Sequence, residues 1–287
     1  VWTNEEGARF APAMMGSGVF SGVFKQSEIF LHKDKNGVSV EQALHRSDQQ
    51  GSEACKAFPI KAYYELHIEQ GPVLELENKT IGVVTGAQGI SWNHVTLNGQ
   101  SAHAGTTPMN YRKDPVSGMA QIIRGLQKII KEQKDSLYTV GRVESKPDSI
   151  NSVANNVFFT VDLRHPEDAI LKIMQQKFKD LIDEVCVRQN LTSELNNIWH
   201  SPAISFNENC ILKVKTATEK LGYSYQNIVS GAGHDACQIS YVAPVGMIFI
   251  PCKGGLSHNE AESISPENAQ AGANVLLNAV LESSLIN

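Results

Sequence analysis

Between about Gln88 and Pro202 the apolar residues change period in a fixed order, and few folds can satisfy that order. NHVTLNG (93–99) alternates as a strand does. After a Gly/Thr/Pro loop, a helix is predicted from Asp114 to about Gln133, with Val116, Met119, Ala120, Ile123, Leu126 and Ile130 as one apolar stripe. LYTVGRV (137–143) and NVFFTVDLR (156–164) read as strands. Pro166, with Glu167 and Asp168, opens a second helix whose Ile170, Met174, Phe178, Leu181 and Val185 share a face. A short strand at Leu191 to Leu195 completes β-α-β-β-α-β, which predicts an antiparallel sheet with two helices on one face.

The flanking sequence has another style. Ser39 and Gln42 form a capping-box pattern ahead of a short helix, and the apolar residues that open the chain read as part of a strand. In AYYELHIEQG, Tyr64, Leu66 and Ile68 alternate with Glu65, His67 and Glu69, which puts His67 on the polar face near a strand end. A helix over 208–220 stops at Gly222. The turn SGAGHDA, the strand VGMIFI, the loop PCKGGLSHNEAE and a terminal helix from Ser265, Pro266 and Glu267 follow. The expectation is an α/β fold: one domain (1–87 and 203–287) interrupted by an inserted ferredoxin-like βαββαβ domain (88–202).

Composition excludes some partners. No Lys/Arg cluster is dense enough for nucleic acid or an anionic membrane, and the net charge of −5 over 287 residues is modest. No apolar run approaches the roughly 18 residues of a membrane span, and no signal peptide is legible, so a cytoplasmic protein is expected. Five scattered cysteines without a C-x-x-C pair argue for reduced thiols rather than disulfides or a thiolate metal site.

Polar clusters fall at element ends and in loops: Glu5/Glu6, His67 with Gln70, SAHAGTTPM around His103, His234/Asp235, and His258/Glu260. Carboxylate and imidazole without thiolate suit zinc or a harder divalent ion such as manganese, with one spare acid as general base. Each cluster also has a plainer reading. Adjacent glutamates can be a solvated stretch, His67 a hydrogen-bonded surface histidine, His103 a turn residue, and the GGLSH glycines a simple turn.

Seven segments taken together, NEEGARF, ELHIEQGPVLE, IGVVTGAQGISW, SAHAGTTPM, VDLRHPED, SGAGHDA and GGLSHNEAE, resemble the amidase/carbamoylase branch of the dinuclear-metal aminoacylase/carboxypeptidase superfamily. That branch includes N-carbamoyl-L-amino acid hydrolases, allantoate and ureidoglycolate amidohydrolases, and the yeast type of β-alanine synthase. The resemblance implies a catalytic α/β metallohydrolase domain with the insertion as lid and homodimer contact. It implies Glu5 as general base, Glu6, His67 and His258 as metal ligands, and His103 as an oxyanion donor reaching the partner subunit's site. Asn151 and Arg164 would hold a substrate carboxylate, with Gln70 a further substrate contact. His234 and Asp235 take structural support. The implied cofactors are two divalent metal ions per full-length subunit: zinc, manganese, cobalt or nickel.

The sequence departs from the family at two places. NSVAN stands where N-V-I-P-G is usual beside the lid asparagine, and the family's upstream His and metal-bridging Asp have no counterpart in Val1 to Asn4. The metal site of this chain is therefore expected to be incomplete and the chain an inactive fragment of an N-carbamoyl-L-amino acid amidohydrolase, a tilt given by IGVVTGAQGISW. Allantoate or ureidoglycolate amidohydrolase is the alternative, and a non-catalytic dimeric binding protein is the alternative of another class.

Overall fold

The computed structural model describes residues 2–284. The chain divides into two compact units, Val1–Ala87 with Ile204–Asn287, and Gln88–Ala203.

The first unit begins with α1 (Met15–Phe20), α2 (Gln26–Ile29), α3 (Val40–Arg46), β1 (Tyr63–Ile68), α4 (Val73–Leu76) and β2 (Ile81–Ala87). Ser39 and Gln42 make both bonds of a capping box at α3, so two otherwise unpaired amides are satisfied locally. The predicted opening strand is not there. Val1 lies outside the described residues, and from Trp2 to Met14 the chain is an irregular loop. Asn4 sits at φ +54°, its side-chain amide donates to the carbonyls of Phe10 (2.8 Å) and Pro12 (3.1 Å), and the Met14 amide returns to the Glu5 carbonyl (2.7 Å). Backbone groups that a strand would offer a neighbour are taken up inside the loop.

The second unit runs β3 (Gly89–Asn98), β4 (Ala102–His103), α5 (Pro115–Glu132), β5 (Leu137–Thr139), β6 (Val143–Lys146), β7 (Ser152–Val153), β8 (Asn156–His165), α6 (Asp168–Gln189) and β9 (Thr192–Ser201). Its sheet has the order β5-β8-β3-β9, with β6 also on β8, and every pair is antiparallel. LYTVGRV, predicted as one strand, breaks between Thr139 and Val143 into β5 and the start of β6. The closing strand is ten residues long rather than five. Val95, Leu97, Val157, Phe159 and Leu163 alternate onto one face, where Ile122 and Leu126 of α5 and Leu171, Met174 and Phe178 of α6 cover them. The buried stripe of α5 is turned from the predicted one: Pro115, Gly118, Ile122 and Leu126 face inward, while Val116 and Ala120 are exposed. Gly118 sets this rotation, because a Cβ there would come within 2.5 Å of Leu191. The short β4–β7 ladder lies beyond the Asn98–Asn156 end of the β3–β8 ladder, joined to it through the Gly99 amide on the Asn155 carbonyl.

The first unit resumes with β10 (Ile204–Ser205), α7 (Glu208–Lys220), β11 (Tyr225–Ser230), α8 (Asp235–Ile239), β12 (Val245–Ile250) and α9 (Pro266–Ser284). Strand order is β1-β12-β2-β10, with β11 parallel to β2 and β1 parallel to β12. β12 is buried at all six positions because the sheet is covered twice. α7 and α9 cover one face through Val214, Ala217, Val275 and Ala279. α1 and α8 pack on the other through Phe20, Ala236 and Ile239. Gly86 is required at the β2–β10 crossing, since a Cβ there would lie 2.0 Å from the Ile204 carbonyl oxygen. This double cover carries β1 and β12 side by side and places His67 at the carboxyl end of β1, the end at which open α/β sheets bind ligands.

Candidate functional site

In the first unit, Glu5, Glu6, His67 and His258 come together although 253 residues separate the first from the last. Glu5 is half-buried. Burial first, then the like charges of Glu6 and Asp235, push its carboxyl above the usual range, with His67 and His258 pulling the other way. Glu6 and His258 are exposed and face each other, Oε2 to Nε2, at 3.5 Å. The Nδ1 of His67 lies 2.7 Å from its neighbour's carbonyl at Ile68. A carbonyl only accepts, so Nδ1 carries the proton and Nε2 keeps a lone pair for a ligand. Gln70 donates from Nε2 to Ser257 Oγ at 2.9 Å, tying the end of β1 to the loop that carries His258. Gln70 and His258 both hold positive φ, +58° and +54°, a conformation kept by surrounding structure rather than by side-chain preference.

Beneath this cluster runs a buried polar network. His234 stacks edge-on to His67 with ring centroids 4.7 Å apart, and its Nε2 pairs with Ser230 Oγ at 2.7 Å. Burial, then the His67 charge, lowers the His234 pKa to about 3, which keeps the ring neutral. Glu65 accepts from the Ala236 amide (2.8 Å) and the Tyr63 hydroxyl (3.0 Å), and Tyr63 accepts from the Trp2 indole (3.2 Å). Asp235 accepts a short hydrogen bond from Ser17 of α1. His234 and Asp235 thus sit within the support of the site. The motifs give Glu65, Tyr63 and Ser17 no part in the site. Alternation along β1 does put Glu65 on the face of His67, while no local signal points to Ser17, 218 residues from its partner.

The donors at the surface of this cluster are of the kind a divalent cation takes, oxygen and imidazole. Among the described residues no three His, Cys, Asp or Glu side chains gather as a metal-holding group. The Glu6/His258 pair and the single His67 nitrogen do not amount to a closed two-metal centre.

The second unit holds the other three candidates. His103 and Asn151 are brought together by the β4–β7 ladder: His103 pairs with Ser152, and the Ala104 amide donates to the Asn151 carbonyl at 3.0 Å. Nδ1 of His103 accepts from the amides of Gly105 (3.1 Å) and Thr106 (3.2 Å). Its proton therefore sits on Nε2, and the exposed edge of the ring is a hydrogen-bond donor. Arg164 is elsewhere. It lies on β8 opposite Ile90, with its guanidinium forked onto Asp162, Nε to Oδ2 at 3.0 Å and the terminal nitrogen to Oδ2 at 2.7 Å. Eight residues of β8 separate Asn156 from Arg164, roughly 27 Å of strand, and Asn151 and His103 lie past the Asn156 end.

Known proteins resemble this chain over nearly its whole length. An N-carbamoyl-L-amino-acid amidohydrolase of Rhizobium meliloti is 46% identical over 286 residues, covering 99% of this chain and 69% of its own length. The allantoate amidohydrolase of Bacillus subtilis is 34% identical over 276 residues, covering 95% of this chain and 67% of its own. An amidase of the hydantoinase/carbamoylase family from Burkholderia multivorans superposes with a TM-score of 0.97 at 44% identity, covering all of this chain and 70% of that one. Peptidase family M20/M25/M40 matches residues 1–282. The match runs nearly end to end, and the chain is an enzyme of peptidase family M20/M25/M40, akin to its amidohydrolases.

Proposed function

We propose that this protein hydrolyses the carbamoyl (ureido) C–N bond of N-carbamoyl-L-amino acids. The observation that carries the reading is Glu5, a half-buried carboxylate of raised proton affinity beside two imidazoles, in a chain closer in sequence to the Rhizobium carbamoyl enzyme than to the Bacillus allantoate enzyme. A base that must take a proton from water and return it to a leaving nitrogen works best with a pKa moved toward neutrality, and burial moves Glu5 that way. Water adds to the ureido carbonyl as Glu5 takes its proton. The same acid then protonates the amino-acid nitrogen as the C–N bond breaks, and the carbamate released decomposes to ammonia and carbon dioxide.

His103, with its donor on Nε2, is suited to the oxyanion that develops on the carbonyl, and Asn151 and Arg164 to the substrate carboxylate. Arg164 would exchange its fork on Asp162 for the substrate. The distance along β8 separates both His103 and Asn151 from Arg164 by far more than a small ureido acid spans, which supports a homodimer in which one subunit's His103 and Asn151 serve the site that holds its partner's Arg164. The exposed edge strand β9, with Ile198 and Trp199 at its surface beside Trp92, is the part of the insertion best suited to that contact. Residues 88–202 are then lid and dimerisation domain, and 1–87 with 203–287 the catalytic domain. Two divalent ions per subunit belong to the same reading, with Glu6, His67 and His258 as donors from this chain, Gln70 at the substrate, and a cytoplasmic setting where the five free cysteines stay reduced.

The test is turnover by the native enzyme of a panel of N-carbamoyl-L-amino acids against allantoate, with metal content measured in the same sample. Release of free amino acid from the carbamoyl substrates supports the proposal. Turnover of allantoate alone moves the enzyme to the second reading, which the 34% relative favours. Protein that binds ureido acids but stays inactive after loading with zinc or manganese points to a binding protein instead.

A further inference from the structure

We propose that Arg112 is a positioning residue that fixes the tautomer of His103, an inference that rests on the oxyanion role given to His103 above. The chain from His103 to Arg112 folds back on itself through a 3-10 turn at Met109–Tyr111, and the half-buried Arg112 guanidinium reaches into the loop it has just left. Its Nε donates to the Thr107 carbonyl at 2.9 Å and a terminal nitrogen donates to the Ala104 carbonyl at 2.6 Å.

The Ala104 carbonyl and the Gly105 amide belong to one peptide plane, and in a trans peptide they point in opposite directions. Arg112 therefore grips one side of the plane while the other side presents its N–H to Nδ1 of His103 at 3.1 Å. The next amide, that of Thr106, donates to the same nitrogen at 3.2 Å. A cation on the carbonyl also polarises the peptide and strengthens the N–H on its far side. Thr107 closes the loop, with its amide on the His103 carbonyl (3.3 Å) and its own carbonyl on Arg112. The ring of His103 is exposed. Its orientation and its proton position depend on these two amides, and the amides depend on Arg112. A lysine would not replace it, since one ammonium lacks the planar fork that reaches both carbonyls in fixed geometry.

The experiment reads the tautomer directly, by long-range 1H–15N correlation of the histidine rings in the native enzyme without substrate, with His103→Gln used to assign the signal. The expected result is a pyridine-like Nδ1 and a pyrrole-like Nε2 in the parent. Both Arg112→Ala and Arg112→Lys should gain a visible Nδ1–H population, and added guanidinium should return Arg112→Ala toward the parent pattern. That rescue also establishes that the variant is folded. An Nδ1–H tautomer in the parent, or an unchanged Nε2–H tautomer in both variants, overturns the inference. Turnover is measured in parallel, with kcat expected to fall about tenfold or more and KM to change little, since an oxyanion donor acts mainly in the transition state. A tautomer that shifts while kcat does not would uphold the link from Arg112 to His103 and overturn the oxyanion role assigned to His103, so the two ideas fail separately.

Discussion

The two units prepare their polar residues by opposite means. In the first, Glu5 is half-buried among like charges above a buried network of Glu65, His234 and Asp235, so its proton affinity is set by what surrounds it. In the second, His103 stands in solvent and its chemistry is set by two backbone amides that fix where its proton sits. Burial adjusts how tightly a proton is held, whereas hydrogen bonding to one ring nitrogen decides which atom presents it. A group that must gain and lose a proton benefits from the first device; a group that must only donate a hydrogen bond needs the second.

The comparison breaks most easily at Glu5. Glu5→Gln keeps the shape and removes the proton carrier, so kcat should fall by about 10²- to 10⁴-fold with substrate binding retained. A loss under tenfold would remove Glu5 from the role of base. Next comes His103→Ala, for which a loss of about 10²- to 10³-fold in kcat is expected, the range for one oxyanion donor. Mixing His103→Ala subunits with Glu5→Ala subunits sharpens the point. Recovered activity in verified heterodimers requires one intact site assembled from two chains, and none should appear if each chain serves itself. Arg164→Lys should act on the substrate's carboxylate more than on chemistry: KM rises roughly tenfold as the bidentate fork is lost while kcat holds. A fall confined to kcat would place Arg164 outside substrate binding.

What the sequence discloses divides along the same line between local and distant causes. The Ser39–Gln42 box and the alternation that puts Glu65 and His67 on one face were legible because both arise within a few residues. The α/β architecture and the β-α-β-β-α-β succession of the insertion were legible from changes of period. The rotation of α5 was not, because it answers to Leu191 packing on Gly118, far apart in sequence. Nor was the loop from Trp2 to Met14, whose Asn4 amide bonds override the strand suggested by its apolar start. For the site, residue types in motifs suggested which side chains matter. They carried no information on His103's proton, which depends on how residues 104–112 fold back, or on the support under His67.

That support gives the smallest expected effect and the closest test of the burial half of the comparison. Ser17 lies in α1 with its hydroxyl in reach of the Met14 carbonyl and of the buried carboxylate of Asp235, and its single proton goes to the carboxylate, the stronger acceptor. Burial raises the Asp235 pKa and the Ser17 hydroxyl counters it. Ser17→Ala removes a donor from a buried carboxylate and lets nothing take its place, since the site is closed to water at Ser17 itself. The cost for such an unsatisfied group is about 1–3 kcal/mol, which chemical denaturation resolves as a lower midpoint at unchanged slope. Ser17→Thr keeps the hydroxyl and should lose less. Without the Ser17 hydroxyl the Asp235 pKa rises further and its charge is lost more readily, so the Glu5 pKa falls and the acid limb of the turnover profile should move to lower pH, because Asp235 is one of the two like charges that raise the Glu5 pKa. The corresponding loss in the second unit, at Arg112, should leave that profile in place and lower its height. Equal changes in both variants would mean that the two units do not divide the work as their hydrogen bonds imply.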